Sequence, residues 1–183
     1  IIEYTDGSRQ TIASDISWKL TTEGPIRSNN EYDGEEYDAR KELGDWNRTG
    51  YDDTNWIPAG RVSIPSGTLR AQMMPGMKVT ESLKPVSIRK QGDKHILDIG
   101  QNMAGWLRIR IKGQAGDSIR LRFAERLQAD GEIFTKNLRD AHCTDIYVVS
   151  GREPQDTTWA PRFVYHGFRY VEISGYPNAK TED

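Results

Sequence analysis

Alternation with a period of two constrains this chain more than any other feature. Leu107, Ile109 and Ile111 are separated by Arg108, Arg110 and Lys112, and Ile119, Leu121 and Phe123 by Arg120 and Arg122. Successive side chains of a strand point to opposite faces, so each run buries one face and wets the other. Between them, Gly113-Gln114-Ala115-Gly116-Asp117 is turn chemistry, so the two runs are expected to form an antiparallel hairpin. Further strands are expected at 15–20, 85–89, 95–99, 144–150 and 170–173, and the chain opens on a strand–turn–strand unit around Asp6-Gly7. No stretch of a dozen residues carries a helical period, and Gly and Pro interrupt often. Many short strands with turns between them imply an all-β fold of β-sandwich, jelly-roll-like domains.

At 183 residues the chain has room for one large or two small domains. Residues 24–59 are polar, acidic and rich in aromatics, whereas the strands become regular from Val79 onward. The segment 65–77, with Pro65, Gly67, Pro75 and Gly76, is the natural joint, so the expected division is 1–76 and 77–183. Lys and Arg total 25 against 27 Asp and Glu, a balance of -2 that exerts no whole-molecule pull on nucleic acid or anionic lipid. No apolar run approaches the ~18 residues of a membrane-spanning helix. Cys143 stands alone, which rules out an intramolecular disulfide and a cysteine-clustered zinc site and leaves the compartment open. Ile1-Ile2-Glu3-Tyr4 starts inside a hairpin and lacks the basic and long apolar segments of a signal peptide, so the first residue is expected to be the cut edge of a larger domain. Gly175-Tyr176-Pro177-Asn178 is expected to leave a last strand.

The stretch Asp98-Ile-Gly-Gln-Asn-Met-Ala-Gly-Trp106 is expected to end one strand and start another. Gly100 and Gly105 permit close approaches, Gln101 and Asn102 bond loop backbone, and Trp106 supplies an apolar plate. As a bare pattern it is a structural turn. As a string it joins Ala124-Glu125-Arg126-Leu127, Asp130-Gly131-Glu132-Ile133-Phe134, Asn137-Leu138-Arg139, Thr144-Asp145-Ile146-Tyr147 and Phe163-Val-Tyr-His-Gly-Phe-Arg-Tyr-Val171. Those blocks resemble the β-sandwich directly before the barrel in family 78 glycoside hydrolases, the bacterial α-L-rhamnosidases. Earlier blocks, among them Glu3-Tyr-Thr-Asp-Gly-Ser8, Ser17-Trp18-Lys19, Gly24-Pro25-Ile26, Tyr32-Asp-Gly-Glu-Glu-Tyr-Asp-Ala-Arg40 and Gly50-Tyr-Asp-Asp-Thr-Asn-Trp56, resemble the second half of that family's N-terminal domain.

The resemblance implies that 1–76 is the C-terminal part of an incomplete first sandwich and that 77–183 is a second sandwich preceding an (α/α)6 barrel. It implies inverting hydrolysis of terminal α-L-rhamnose by two carboxyl groups about 6.5–9.5 Å apart on that barrel. This region is then a non-catalytic scaffold with the barrel of the parent chain as partner. The alternative is a calcium-assisted rhamnose-binding module. No cofactor is required, Ca2+ is the one candidate, and neither nucleic acid nor membrane is an expected partner. The resemblance points to a periplasmic or extracellular parent, with the cytoplasm as the alternative.

For the module alternative, Glu35, Tyr37, Asp38 and Trp56 are the candidate sugar contacts, and Asn29, Asn30, Glu35 and Asp38 the candidate Ca2+ ligands. The competing expectation is that Glu35, Asp38 and Arg40 bond loop backbone and each other while the tyrosines pack. Asp45-Trp-Asn-Arg-Thr-Gly50 resembles a calcium loop, but Trp56 stands where the bidentate Glu belongs, so a structural loop is expected. His142 and Cys143 are neighbours whose side chains point apart on a strand, which argues against a catalytic dyad. His95, His142 and His166 lack metal spacing and are expected at the surface or in loops. Arg108, Arg110, Lys112, Arg120 and Arg122 are expected as a solvated or docking face of the hairpin.

Overall fold

The computed structural model of the chain describes residues 1–64, 66–68, 70–177 and 179. Pro65 and Leu69 of the expected joint, and Asn178 of the expected exit, lie outside the described residues. The fold is all-β. In chain order the strands are β1 (Ile2–Glu3), β2 (Arg9–Gln10), β3 (Lys19–Leu20), β4 (Ile26–Asn30), β5 (Gly34–Asp38), β6 (Ile57–Pro58) and β7 (Ser87–Gln91). There follow β8 (Lys94–Gly105), β9 (Ile109–Arg110), β10 (Ser118–Ala124), β11 (Thr144–Val148), β12 (Thr158–Trp159) and β13 (His166–Ser174). Among the described residues the only helical turns are the three-residue 3-10 turns Ala39–Lys41 and Lys136–Leu138.

The chain forms two units, and they do not follow a single cut. One is Ile1–Glu23 with Leu43–Lys78, the other Gly24–Glu42 with Val79–Asp183. The expected division at 76/77 assigns 24–42 to the first domain; these residues instead pair with strands more than a hundred positions later.

The first unit holds the hairpin β1–β2, whose turn is closed by the Gly7 amide on the Tyr4 carbonyl at 3.0 Å, and the pair β3–β6. Lys19 binds Asp53 at 2.8 Å. None of its described residues is buried, and Trp18 and Trp46 are each about half exposed. Its hydrogen bonds lie in turns and in the pairing of β3 with β6, and its described residues enclose no apolar core of their own.

The second unit is a seven-stranded sheet in the order β4-β5-β11-β10-β13-β8-β7. All its pairs are antiparallel except β5–β11. The alternation correctly predicts what is buried: Ile119, Leu121 and Phe123 on β10 are fully enclosed, with Phe168, Val171 and Ile173 on β13 and Leu97 and Ile99 on β8. A short second layer, β9 with β12, closes this face. It brings Ile109 and Trp159 into the core, where Trp159 meets Tyr147 and Tyr37 at ring distances of 5.3 and 6.1 Å. On the other face Ile96, Ala124 and Ile133 make a satellite cluster.

Two local expectations are overturned. The runs 107–111 and 119–123 are not a hairpin: β9 pairs with β12, and β10 pairs with β11 and β13. The connection 113–117 lets the chain cross between layers, and β10 takes β11 on one edge and β13 on the other in place of its predecessor. The segment 98–106 is not a turn between strands, because β8 runs unbroken from Lys94 to Gly105. Gly100, at φ 91, bends it; a Cβ there would press on Val86 at 3.0 Å. The bend faces a register shift on β13 between Phe168 and Tyr170, and Arg169 at that shift grips Asp98 through two bonds of 2.8 and 2.9 Å. Trp106 follows the strand end and is partly exposed.

Burial is thus concentrated in the second unit, and substitutions divide accordingly. Phe123→Ala is expected to lower unfolding free energy by roughly 3–5 kcal/mol, and Trp46→Ala to change it by about 0.5 kcal/mol or less. Urea titration of the two variants checks this, and comparable losses would contradict it.

Candidate functional site

The most concentrated polar chemistry lies inside the second unit. Asp145 on β11 has no solvent exposure, yet its Oδ1 accepts from the Glu35 amide on β5 at 3.0 Å and from His166 Nε2 on β13 at 3.0 Å. His166 Nδ1 lies 3.4 Å from Cys143 Sγ, and the imidazole stacks on Phe123 with ring centroids 4.2 Å apart. Burial pushes the imidazolium down, but the bonds to Asp145 and Cys143 and the Asp145 charge outweigh it, and His166 is raised to about 9. Asp145 Oδ2 has no hydrogen-bond partner among the described residues.

Local backbone explains how these groups meet. Val164, His166 and Phe168 alternate inward, so the period that buries the phenylalanine also buries the histidine. His166 is therefore a core residue, against the expectation of a surface or loop position. Cys143 sits at φ 46, where few residues other than glycine are found, and its amide bonds the Tyr32 carbonyl. The Thr144 amide bonds the Asp33 carbonyl, so the β4–β5 turn lies against the start of β11. Gly34 at φ 109 permits this approach, because a Cβ there would collide with the Thr144 carbonyl.

The thiol–imidazole–carboxylate order resembles that of nucleophilic hydrolases. Its burial excludes the chemistry: Cys143 is 8% exposed, His166 3% and Asp145 0%, so no substrate reaches the sulfur. The expectation that His142 does not serve Cys143 agrees with this geometry, since the imidazole facing the thiol belongs to His166.

The expected sugar and calcium residues are placed as follows. Glu35 is buried, and its carboxylate accepts from the Arg162 and Phe163 amides at 3.1–3.3 Å and from Asn29 Nδ2 at 2.9 Å. Asp38 accepts from the Arg40 amide and guanidinium at 2.9–3.0 Å, and the bond to that guanidinium holds its carboxyl below the usual range. Asn30 Oδ1 accepts from the Tyr32 and Asp33 amides. Tyr37 stacks on Tyr147 at 5.6 Å and bonds Glu42; burial first, then Glu42, raises its phenol. Trp56 lies in the first unit, edge-on to Tyr51 at 5.8 Å. Calcium needs several oxygens free to turn toward it. Here the oxygens of Glu35 and Asp38 face protein donors, and no group of three His, Cys, Asp or Glu among the described residues is placed to hold a metal. This set does not fit Ca2+. Of the motif residues, Asn102 bonds Glu125 at 2.8 Å, Gln101 is exposed, and Gly105 ends β8 opposite His166.

Sequence families account for nearly the whole chain. Residues 88–183 match the bacterial α-L-rhamnosidase concanavalin-like domain, and residues 1–81 the α-L-rhamnosidase N-terminal domain. The chain belongs to the bacterial α-L-rhamnosidase family. An α-L-rhamnosidase of Streptomyces avermitilis is 42% identical over 186 residues, covering 96% of this chain and 17% of that protein. One from Formosa agariphila is 39% identical, covering 98% and 19%. The solved α-L-rhamnosidase of Dictyoglumus thermophilum superposes with a TM-score of 0.91 at 40% identity, over 98% of this chain and 20% of that one. The Streptomyces avermitilis α-L-rhamnosidase solved with L-rhamnose superposes at 0.90 and 39%, again over 98% of this chain but 17% of its own. The rhamnosidase region described here thus spans about a fifth of the length of its relatives.

Within this rhamnosidase region the buried carboxylates Glu35, Asp38, Asp145 and Glu172 all accept from protein donors. They serve as internal struts. His166 supplies the pH test of that arrangement. Its folded value of about 9 lies above the unfolded 6.5, so its contribution is complete below pH 6.5 and is lost as pH rises through about 9. Unfolding free energy is expected to fall by on the order of 3 kcal/mol across that window. Asp145→Asn is expected to abolish the dependence and to cost about 3–5 kcal/mol at pH 6. Urea titrations at pH 6 and 9.5, with imidazole NMR, measure both; a flat profile with His166 titrating near 6.5 contradicts the assignment.

Proposed function

We propose that this region is a non-catalytic scaffold of an α-L-rhamnosidase, supporting hydrolysis of terminal α-L-rhamnose by a barrel elsewhere in the parent chain. The observation that carries the reading is the match of nearly the whole chain to about a fifth of each relative, whose remaining length is available for the reacting groups. The buried carboxylates argue the same way. An inverting pair needs two carboxyl groups facing a water and a sugar, and those of Glu35, Asp38, Asp145 and Glu172 are turned into the protein. The calcium-assisted rhamnose module is the weaker reading, because the oxygens it requires are already bonded. The parent is proposed to work in the periplasm or outside the cell.

The test is hydrolysis of an aryl α-L-rhamnoside by the 183-residue chain and by a polypeptide extended to the length of the relatives. No turnover by the chain and turnover by the extended protein are expected. In the extended protein, Asp145→Asn is expected to lower thermal stability while leaving KM near its original value, as suits a strut remote from substrate. Turnover by the purified chain, lost on replacing one of its own carboxylates, would overturn the scaffold.

A further inference from the structure

The outer face of the seven-stranded sheet holds charges that the fold leaves unmatched. Alternation sends Arg120 and Arg122 away from Ile119, Leu121 and Phe123, to the face opposite the main core. Arg122 stands in register with Glu172 on β13 and Thr144 on β11, and Arg120 with Ser174. Opposite charges facing each other across strands ordinarily pair. Glu172 instead binds Lys94 Nζ on β8 at 3.2 Å. Arg122 keeps a single bond, from Nη2 to Thr135 Oγ1 at 3.3 Å. The Arg120 guanidinium makes no hydrogen bond or ion pair among the described residues.

This face is also concave. A cleft of about 400 Å3 is lined by Lys94, Arg120, Arg122, His142, Thr144, Glu172 and Ser174. Three cations against one carboxylate leave a surplus of two positive charges there, in a chain whose net charge is -2. Each guanidinium carries five N–H donors, and only one of the two groups has a donor engaged. Arg120 and Arg122 are two positions apart on one strand, so their stems are roughly 7 Å apart. An oxyanion lodged between them reaches both forks, a geometry that favours carboxylate or sulfate oxygens over a neutral hydroxyl. Thr144 Oγ1 already donates to the His142 carbonyl and is left as an acceptor, and Ser174 offers a second hydroxyl beside it. The volume suits one sugar residue. His142 is the one ring among the lining residues, with no Phe, Tyr or Trp beside it, so the row of stacking faces that a single-stranded nucleic acid site uses is absent there.

We propose that this cleft is an oxyanion site for an acidic saccharide residue, with Arg120 and Arg122 gripping its carboxylate or sulfate and Thr144 and Ser174 meeting its hydroxyls. The saccharide half rests on the scaffold reading above; the oxyanion half rests on these side chains alone. Amide NMR of the 183-residue chain, titrated at constant ionic strength with glucuronate, glucose 6-sulfate and glucose, tests it.

At least one anionic sugar is expected to shift amides of 118–124 and 172–174 with a millimolar midpoint, and glucose to leave them in place. A response to glucuronate alone assigns the site to carboxylated sugars, and one to the sulfate alone to sulfated sugars; either supports the proposal. Arg120→Gln is expected to weaken the response roughly tenfold, the loss of one charge-assisted contact. Arg126→Gln, an exposed cation outside the cleft, is expected to leave it unchanged. If Arg120→Gln disturbs the spectrum of the free protein, Arg120→Lys keeps the charge, loses the fork and is expected to weaken binding as well.

Equal shifts with glucose, no shift with either anion at roughly 50 mM, where a millimolar site is filled, or full binding by a folded Arg120 variant would overturn the proposal. A response to polyglutamate with none to the sugars would overturn it in favour of an acidic protein segment. Hydrolysis by the extended polypeptide is a separate readout, so a failed titration leaves the scaffold reading standing.

Discussion

Asp145 is the contact on which the second unit depends. One buried oxygen joins three strands that lie far apart in the chain, taking the Glu35 amide from β5 and the His166 imidazole from β13 while the backbone of Asp145 pairs within β11. A buried carboxylate without a cation is costly, and a buried imidazolium without an anion equally so. Each makes the other tolerable, and Phe123, stacked on His166, seals the pair from water. Glu35 extends the junction by capping the Arg162 and Phe163 amides, so the loop ahead of β13 is held by the same group of residues.

This junction accounts for the course of the chain. Gly24–Glu42 leaves the first unit, enters the sheet beside β11 and returns, and β5–β11 is the one parallel pair among the described residues. Parallel neighbours need long crossovers, and here the crossover includes the whole of 43–78. Contacts of such sequence separation are slow to form, and β5 has no edge to pair with until β10, β11 and β13 exist. The first unit buries none of its described residues, so its order comes from hydrogen bonds in its turns and between β3 and β6. A region built in this way suits a support within a larger glycosidase better than a self-contained binding module.

Much of this was legible in the sequence, and the failures share one cause. Period-two alternation identified the buried faces of β10 and β13 and the all-β class, because side-chain direction along a strand is a local property. Pairing is not local. The turn residues 113–117 look like a hairpin connection, yet β10 prefers β11 and β13, and only three-dimensional packing decides that. Gly100 signalled a special backbone position, but whether it ends a strand or bends one depends on Arg169 reaching Asp98 from the neighbouring strand. The same holds for the polar centre. The expectation that Glu35, Asp38 and Arg40 bond loop backbone and each other is met in the Arg40–Asp38 pair and in the amides on Glu35, but that those amides belong to 162 and 163 gives no compositional sign. His166 was within reach of sequence reasoning, since it alternates with Val164 and Phe168.

The central claim is that Asp145 makes 24–42 part of the late sheet's core rather than of the segment that flanks it in sequence. Native-state hydrogen exchange measures this directly, amide by amide. The Glu35 amide, buried and bonded to Asp145, is predicted to exchange through the same opening free energy as Phe123 on β10, well above every amide of 43–78. Exchange of Glu35 and its β5 neighbours at the rates of 43–78, while Phe123 stays protected, would contradict the account.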